Sequence, residues 1–248
     1  MVWWRRKKKE GTPDPGSDPL STVRWIPAEE SEFGVEVLDC REFTASVHSL
    51  TQDPKIGDAF AALRAVDGRE YLGKTPESPL RLECDLSYSH RGETRDGPLF
   101  KAACMEDKWD IYLYDGGLYF TRSWTGQLAY VAEIRFSESS ANVVSVLAPG
   151  DSMSKQPGFH VRAMDFLVRS HLYRQMFPHP LPKSLGRDER AQGLFSFSQF
   201  GRYGLLGTFE DITHLPPPKL GRAHDGDPRD ESVPDRSRSE TGTGKERQ

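Results

Sequence analysis

The stretch from Trp109 to Phe136, WDIYLYDGGLYFTRSWTGQLAYVAEIRF, leaves this chain the least conformational freedom. Strand-favouring residues fill it. Turn residues interrupt it twice, at Asp115-Gly116-Gly117 and at Trp124-Thr125-Gly126. Asp-Gly between alternating hydrophobic residues is one of the strongest local hairpin signals, because both positions tolerate the positive φ that a tight antiparallel turn needs. The stretch therefore reads as two consecutive β-hairpins, and the protein as one organised on an antiparallel sheet. With a side-chain period of two, Trp109, Ile111, Leu113, Leu118 and Phe120 share one face. Tyr112, Tyr114 and Tyr119 share the other.

The rest of the chain extends that sheet and adds helices. Residues 22–26, 33–43, 81–88, 99–105 and 142–148 read as strands, and Gly193 to Phe209 (GLFSFSQFGRYGLLGTF) as a strand pair turning at 200–202. Asp53-Pro54 is a helix start, an N-cap acid followed by proline at the first helical position. Ile56, Phe60 and Leu63 continue it at helical spacing. Val161, Met164, Leu167 and His171 repeat likewise, and Pro178 stops that pattern. The expected fold is α+β, a largely antiparallel meander of about seven to nine strands with two main helices, 53–66 and 159–177. Residues 21–215 form the expected single domain. Residues 1–20 are read as a flexible basic leader and 216–248 as a disordered charged tail, for want of apolar residues.

Charge narrows the partners. The net charge of −4 hides an uneven distribution. Residues 1–10 hold five basic side chains and one acidic, and residues 219–248 hold seven of each, so −8 remains on the body between. An acidic body lacks the continuous basic surface that a phosphate backbone requires, so nucleic acid is not an expected partner. The apolar runs are too short for a membrane-spanning helix. Trp3 and Trp4 beside Arg5, Arg6, Lys7, Lys8 and Lys9 could give weak contact with an anionic membrane; an unstructured basic start is the simpler reading. Three scattered cysteines, Cys40, Cys84 and Cys104, suit free thiols in a reducing compartment, so the cytoplasm is the expected location.

Catalytic signals are sparse. No zinc-ligand spacing, nucleophile elbow or phosphate-binding glycine loop occurs, and neither metal nor cofactor is implied. Glu83 and Asp85 lie two apart on one strand face, and with His90 they are the candidates for acid/base or metal-dependent hydrolase or nuclease-like chemistry. A solvated strand face gives the same pattern. Tyr112, Tyr114, Tyr119, Trp124 and Arg122 are residue types enriched where proteins bind one another. Burial of that face beneath helix 159–177 is the competing reading. The favoured expectation is a non-catalytic, soluble, protein-binding domain of adaptor or immunity-like type. The alternatives are the hydrolase and a peripheral membrane protein attached through the N-terminus.

Overall fold

The computed structural model describes residues 3–6, 18–50, 53–91, 94–150 and 156–216. In chain order the elements are β1 (Trp3–Arg6), β2 (Arg24–Ile26), β3 (Val37–Asp39), α1 (Arg41–Ser46), β4 (Val47–Leu50), α2 (Pro54–Ala65), β5 (Pro79–Ser89) and β6 (Gly97–Phe100). They continue as β7 (Trp109–Tyr114), β8 (Gly117–Arg122), β9 (Leu128–Phe136), β10 (Ser140–Pro149), α3 (Pro157–Leu167), β11 (His179–Pro180), α4 (Glu189–Phe200) and β12 (Leu206–Thr208). The fold is α+β. Its centre is a six-stranded antiparallel sheet ordered β5-β10-β9-β8-β7-β6, and a smaller sheet is ordered β11-β12-β3-β2.

The double hairpin takes the expected form. Tyr114 pairs with Gly117 across a two-residue turn, and Asp115 and Gly116 both have positive φ, 47° and 71°. Strand β9 then pairs with β8, and β10 with β9. Helix α2 also begins as expected: the Asp53 carboxylate accepts from the Lys55 amide at 3.0 Å with Pro54 at the first position.

All six residues of β7 are buried, so the sheet is covered on both faces at this strand. On one, Trp109, Ile111, Leu118 and Phe120 belong to a cluster that includes Phe159, Met164 and Leu167 of α3 and Phe200 of α4. On the other, Tyr112, Tyr114 and Tyr119 pack with Tyr71. The cover of the tyrosine face is therefore the connection after α2, not the long helix; α3 lies on the opposite side.

Four expectations are corrected. The helix expected over 159–177 runs from Pro157 to Leu167, continues as a π-helical turn over Val168–Leu172 and stops. Arg174 adopts φ of 56°, and the Gln175 amide returns to the Arg169 carbonyl at 3.0 Å. That left-handed closure is usually made by glycine, so nothing in the composition announced it. The strand pair expected over 193–209 is mostly helix α4. Asp188 caps it, accepting from the Ala191 amide at 3.0 Å. Gly193, Ser196, Phe197 and Phe200 are buried at helical spacing, so the Phe-Ser alternation was a short accidental period of two. Residues 40–46, read as the end of a strand, hold α1, and the strand expected over 99–105 ends at Phe100. Within the expected leader, Trp3–Arg6 is a strand paired antiparallel with β4. Lys7, Lys8 and Lys9, and the tail from 217 onward, lie outside the described residues.

Gly68 fixes the cover of the tyrosine face. Its φ is 90°, and a Cβ there would sit 2.2 Å from the Tyr112 ring. Tyr112 is wholly buried and has no room to retreat. Gly68→Ala is expected to cost more than about 2 kcal/mol, combining left-handed strain with overpacking. Urea denaturation measures it, and a variant of wild-type stability would contradict the packing described.

Candidate functional site

The expected aromatic patch is sealed by its own hydrogen bonds. The Tyr112 hydroxyl accepts from Lys101 Nζ at 2.7 Å, and that ammonium is also 2.9 Å from Asp110 Oδ2. Tyr114 donates to the Asp67 carbonyl at 2.9 Å, Tyr71 donates to the Gly126 carbonyl at 2.9 Å, and the Tyr119 hydroxyl accepts from the Gly73 amide at 3.2 Å. Burial raises the Tyr112 pKa above the ordinary phenol value. Trp124 is half-buried, donates Nε1 to the Met105 carbonyl at 2.8 Å and lies 4.4 Å from Lys108 Nζ. These residues hold the sheet to its cover and offer no open face, because each polar tip already has a protein partner.

The candidate acids are not brought together with histidine. Glu83 and Asp85 are exposed on β5, an edge strand, and Glu83 accepts from Arg81 at 2.7 Å. His90 lies beyond the end of that strand, against the Phe136 ring at 5.0 Å and Thr94 at 3.0 Å. His48 is 3.3 Å from Glu106 instead. Among the described residues no group of three or more His, Cys, Asp or Glu could hold a metal ion.

Buried nucleophiles are equally committed. Burial pushes the Cys40 thiol up to about 12 and Cys84 to about 11, and raises Cys104. Thiols so shifted stay protonated at neutral pH. Lys108 Nζ donates to Ser49 Oγ at 2.8 Å and to the Met105 carbonyl at 2.7 Å, and burial lowers its pKa to about 8. A serine hydroxyl beside such an amine resembles a nucleophile with its base. However, the Ser49 amide donates to Glu106 Oε1 at 2.9 Å, which places a carboxylate beside any developing oxyanion. Neither Ser49 nor Lys108 lines any of the clefts described next.

Two clefts flank the helix-covered face of the large sheet. One is apolar, about 270 Å³, and is lined by Tyr88, His90, Ile134, Phe136 and Tyr173 among others. The other is larger, about 550 Å³, and is lined by Trp109, Arg122, Gln127, Leu128, Tyr130, Phe159 and Gln199 among others. Its electrostatics are unusual. The Arg122 guanidinium lies 4.7 Å from the Trp109 ring centroid and donates to the Gln199 and Ser198 carbonyls at 2.8 and 2.9 Å. Those carbonyls close the C-terminal turn of α4, whose dipole balances only part of a full positive charge. No described carboxylate is within ion-pairing distance of Arg122, and burial lowers its pKa to about 10. Trp109 donates Nε1 to the same Gln199 carbonyl at 2.7 Å and stacks on Tyr130 at 5.8 Å.

Arg122 therefore lies beside Trp109 and apart from the tyrosines with which the sequence grouped it. Its companions Trp109, Tyr130 and Phe159 carry a core signal only, and Gln199 fell in a segment read as strand. No family model, curated protein or solved structure matches the chain.

Two histidines set the acid stability of the interior. His171 stacks on Tyr203 at 4.1 Å, and His179 lies 4.6 Å from the Phe200 ring. Both are buried, and burial lowers each pKa to about 3. The folded state therefore keeps them neutral while the unfolded chain takes up protons below about pH 6.5. Stability is present above that value and falls as the pH drops from there toward 3. The loss by pH 5 should be about 2 kcal/mol per histidine. Asp165, whose pKa burial raises, acts in the opposite direction once the pH approaches the carboxylate range. Urea midpoints at pH 7 and pH 5 measure the effect. His171→Phe should remove about half of the difference, and equal midpoints for the wild type would contradict neutral burial.

Proposed function

We propose that the chain is a non-catalytic recognition domain that binds another protein by seating an acidic group of that partner on Arg122. The supporting observation is the guanidinium itself. It lines the larger cleft beside a tryptophan and, among the described residues, is bonded to carbonyls only. Asp165 and Arg169 pair at 3.0 Å and Lys101 and Asp110 at 2.9 Å, whereas Lys108 and Arg162 also lack an ion pair among the described residues but line neither of the two clefts. A partly desolvated cation without an anion attracts one more strongly than a charge in water does. Arginine and tryptophan are also the residue types that anchor protein interfaces.

This reading moves the expected interface from the tyrosine face to the cleft on the other face and retains only Arg122. Adaptor or immunity-like action is its form, because a single well-placed cation confers specificity on an otherwise acidic surface. The same reading places the chain in the cytoplasm, supported by its three free thiols. No helix among the described residues is long and apolar enough to cross a membrane.

Affinity capture from the source organism tests the proposal, with the wild type, Arg122→Lys and Arg122→Gln as baits. A partner recovered by the wild type should persist with the lysine variant and be lost with the glutamine variant. Both variants forfeit part of the cap on α4, so thermal melts accompany the capture; a loss of about 1–2 kcal/mol is expected for Arg122→Gln. Equal recovery by a folded Arg122→Gln would contradict the proposal.

A further inference from the structure

The Arg122 cleft joins one cation to one apolar wall, and few chemical groups satisfy both. The inference drawn from this rests on the recognition reading above. Among the described residues Arg122 is the one Lys or Arg lining the cleft, and Glu77 the one carboxylate. A single guanidinium matches a single carboxylate with two parallel hydrogen bonds. A polyanion would meet Glu77 and the acidic body with only one cation in its favour. Leu128, Tyr130 and Phe159 supply the apolar wall.

We propose that the cleft receives the C-terminal residue of a partner polypeptide, with its free carboxylate on Arg122 and an apolar side chain against Leu128, Tyr130 and Phe159. A terminal residue carries carboxylate and side chain on the same Cα, so one residue serves both features. An internal Asp or Glu brings a peptide group on each side, and every such group taken from water needs a partner. Gln127 and Gln199 are the amide-bearing residues lining the cleft among the described residues, which suits the single peptide group preceding a chain end. The first turn of α3 adds to the preference for a carboxylate. Phe159 and His160 of that turn line the cleft, while Gln156 provides no side-chain cap and the turn contains no acidic residue. The positive end of the helix dipole lies at the same cleft.

Isothermal titration calorimetry on the full chain tests this with four pentapeptides. The first ends in phenylalanine with a free carboxylate, the second is its C-terminal amide, the third ends in serine with a free carboxylate, and the fourth is amidated with one internal glutamate beside phenylalanine. The first should bind most tightly, and amidation or the change to serine should each weaken binding tenfold or more. Arg122→Gln should abolish the preference for the free acid, and Arg122→Lys should keep part of it. Gln127→Glu, at an exposed position on the cleft, should weaken the free acid severalfold and leave the amide unchanged, independently of any effect on folding. Equal binding of acid and amide, or tightest binding of the internal glutamate peptide, would overturn the chain-end inference; the second result would leave recognition of an acidic group standing. No binding by any of the four would overturn both.

Discussion

Two-sided burial of the β7–β8 hairpin is the constraint on which the rest of the molecule depends. A sheet with aromatic residues on both faces cannot leave either in water without exposing a large apolar patch. Helices α3 and α4 close the Trp109–Ile111 side. Helix α2 and the turn at Gly68–Tyr71 close the tyrosine side, with Lys101 bridging Asp110, Tyr112 and the Leu63 carbonyl beneath them. Once both covers are in place, neither aromatic face of the hairpin is open. The proposed recognition lies at the margin of the hairpin, where the Arg122 cleft opens.

The distribution of enclosed charge supports the same conclusion. Asp165 is met by Arg169 and by the Tyr88 hydroxyl, which donates to it at 2.8 Å. Asp110 is met by Lys101 and the Ala102 amide, and Glu106 by His48 and the Ser49 amide. Lys108 lacks a carboxylate but is wholly enclosed, and its proton affinity falls accordingly. Arg122 alone among these lines a cleft while bonded only to carbonyl oxygens. A removed or unmet partner around a partly buried charge is costly, so an incoming anion has something to gain there.

How much of this was legible in the sequence depended on whether the signal was local. The Asp115-Gly116 turn, the alternation of β7 and β8 and the Asp53-Pro54 helix start are all specified within a few residues, and each formed as expected. The end of α3 was not legible, because Arg174 adopts a conformation that its side chain does not advertise. Helix α4 was misread because Phe195, Ser196, Phe197 and Ser198 alternate over too short a span to separate a period of two from one of 3.6. The division of the hairpin into a Trp109 face and a Tyr112 face was correct. Which element covers which face was not available, since packing between distant segments leaves no mark in either. That gap hid the candidate cleft: Arg122 was recognised by residue type, but its setting depends on the Gln199 and Ser198 carbonyls, which accept from it and are placed by a helix the pattern concealed.

The most direct test of the central claim is to observe the guanidinium of Arg122 itself. Its side-chain Nε–Hε resonance can be followed by nuclear magnetic resonance as sodium acetate replaces sodium chloride at constant ionic strength. A cation left without a carboxylate at an accessible cleft predicts a saturable shift of that resonance, accompanied by the backbone amides of Leu128 and Tyr130. A resonance that does not move, or that moves linearly together with the exposed arginines, would contradict the account.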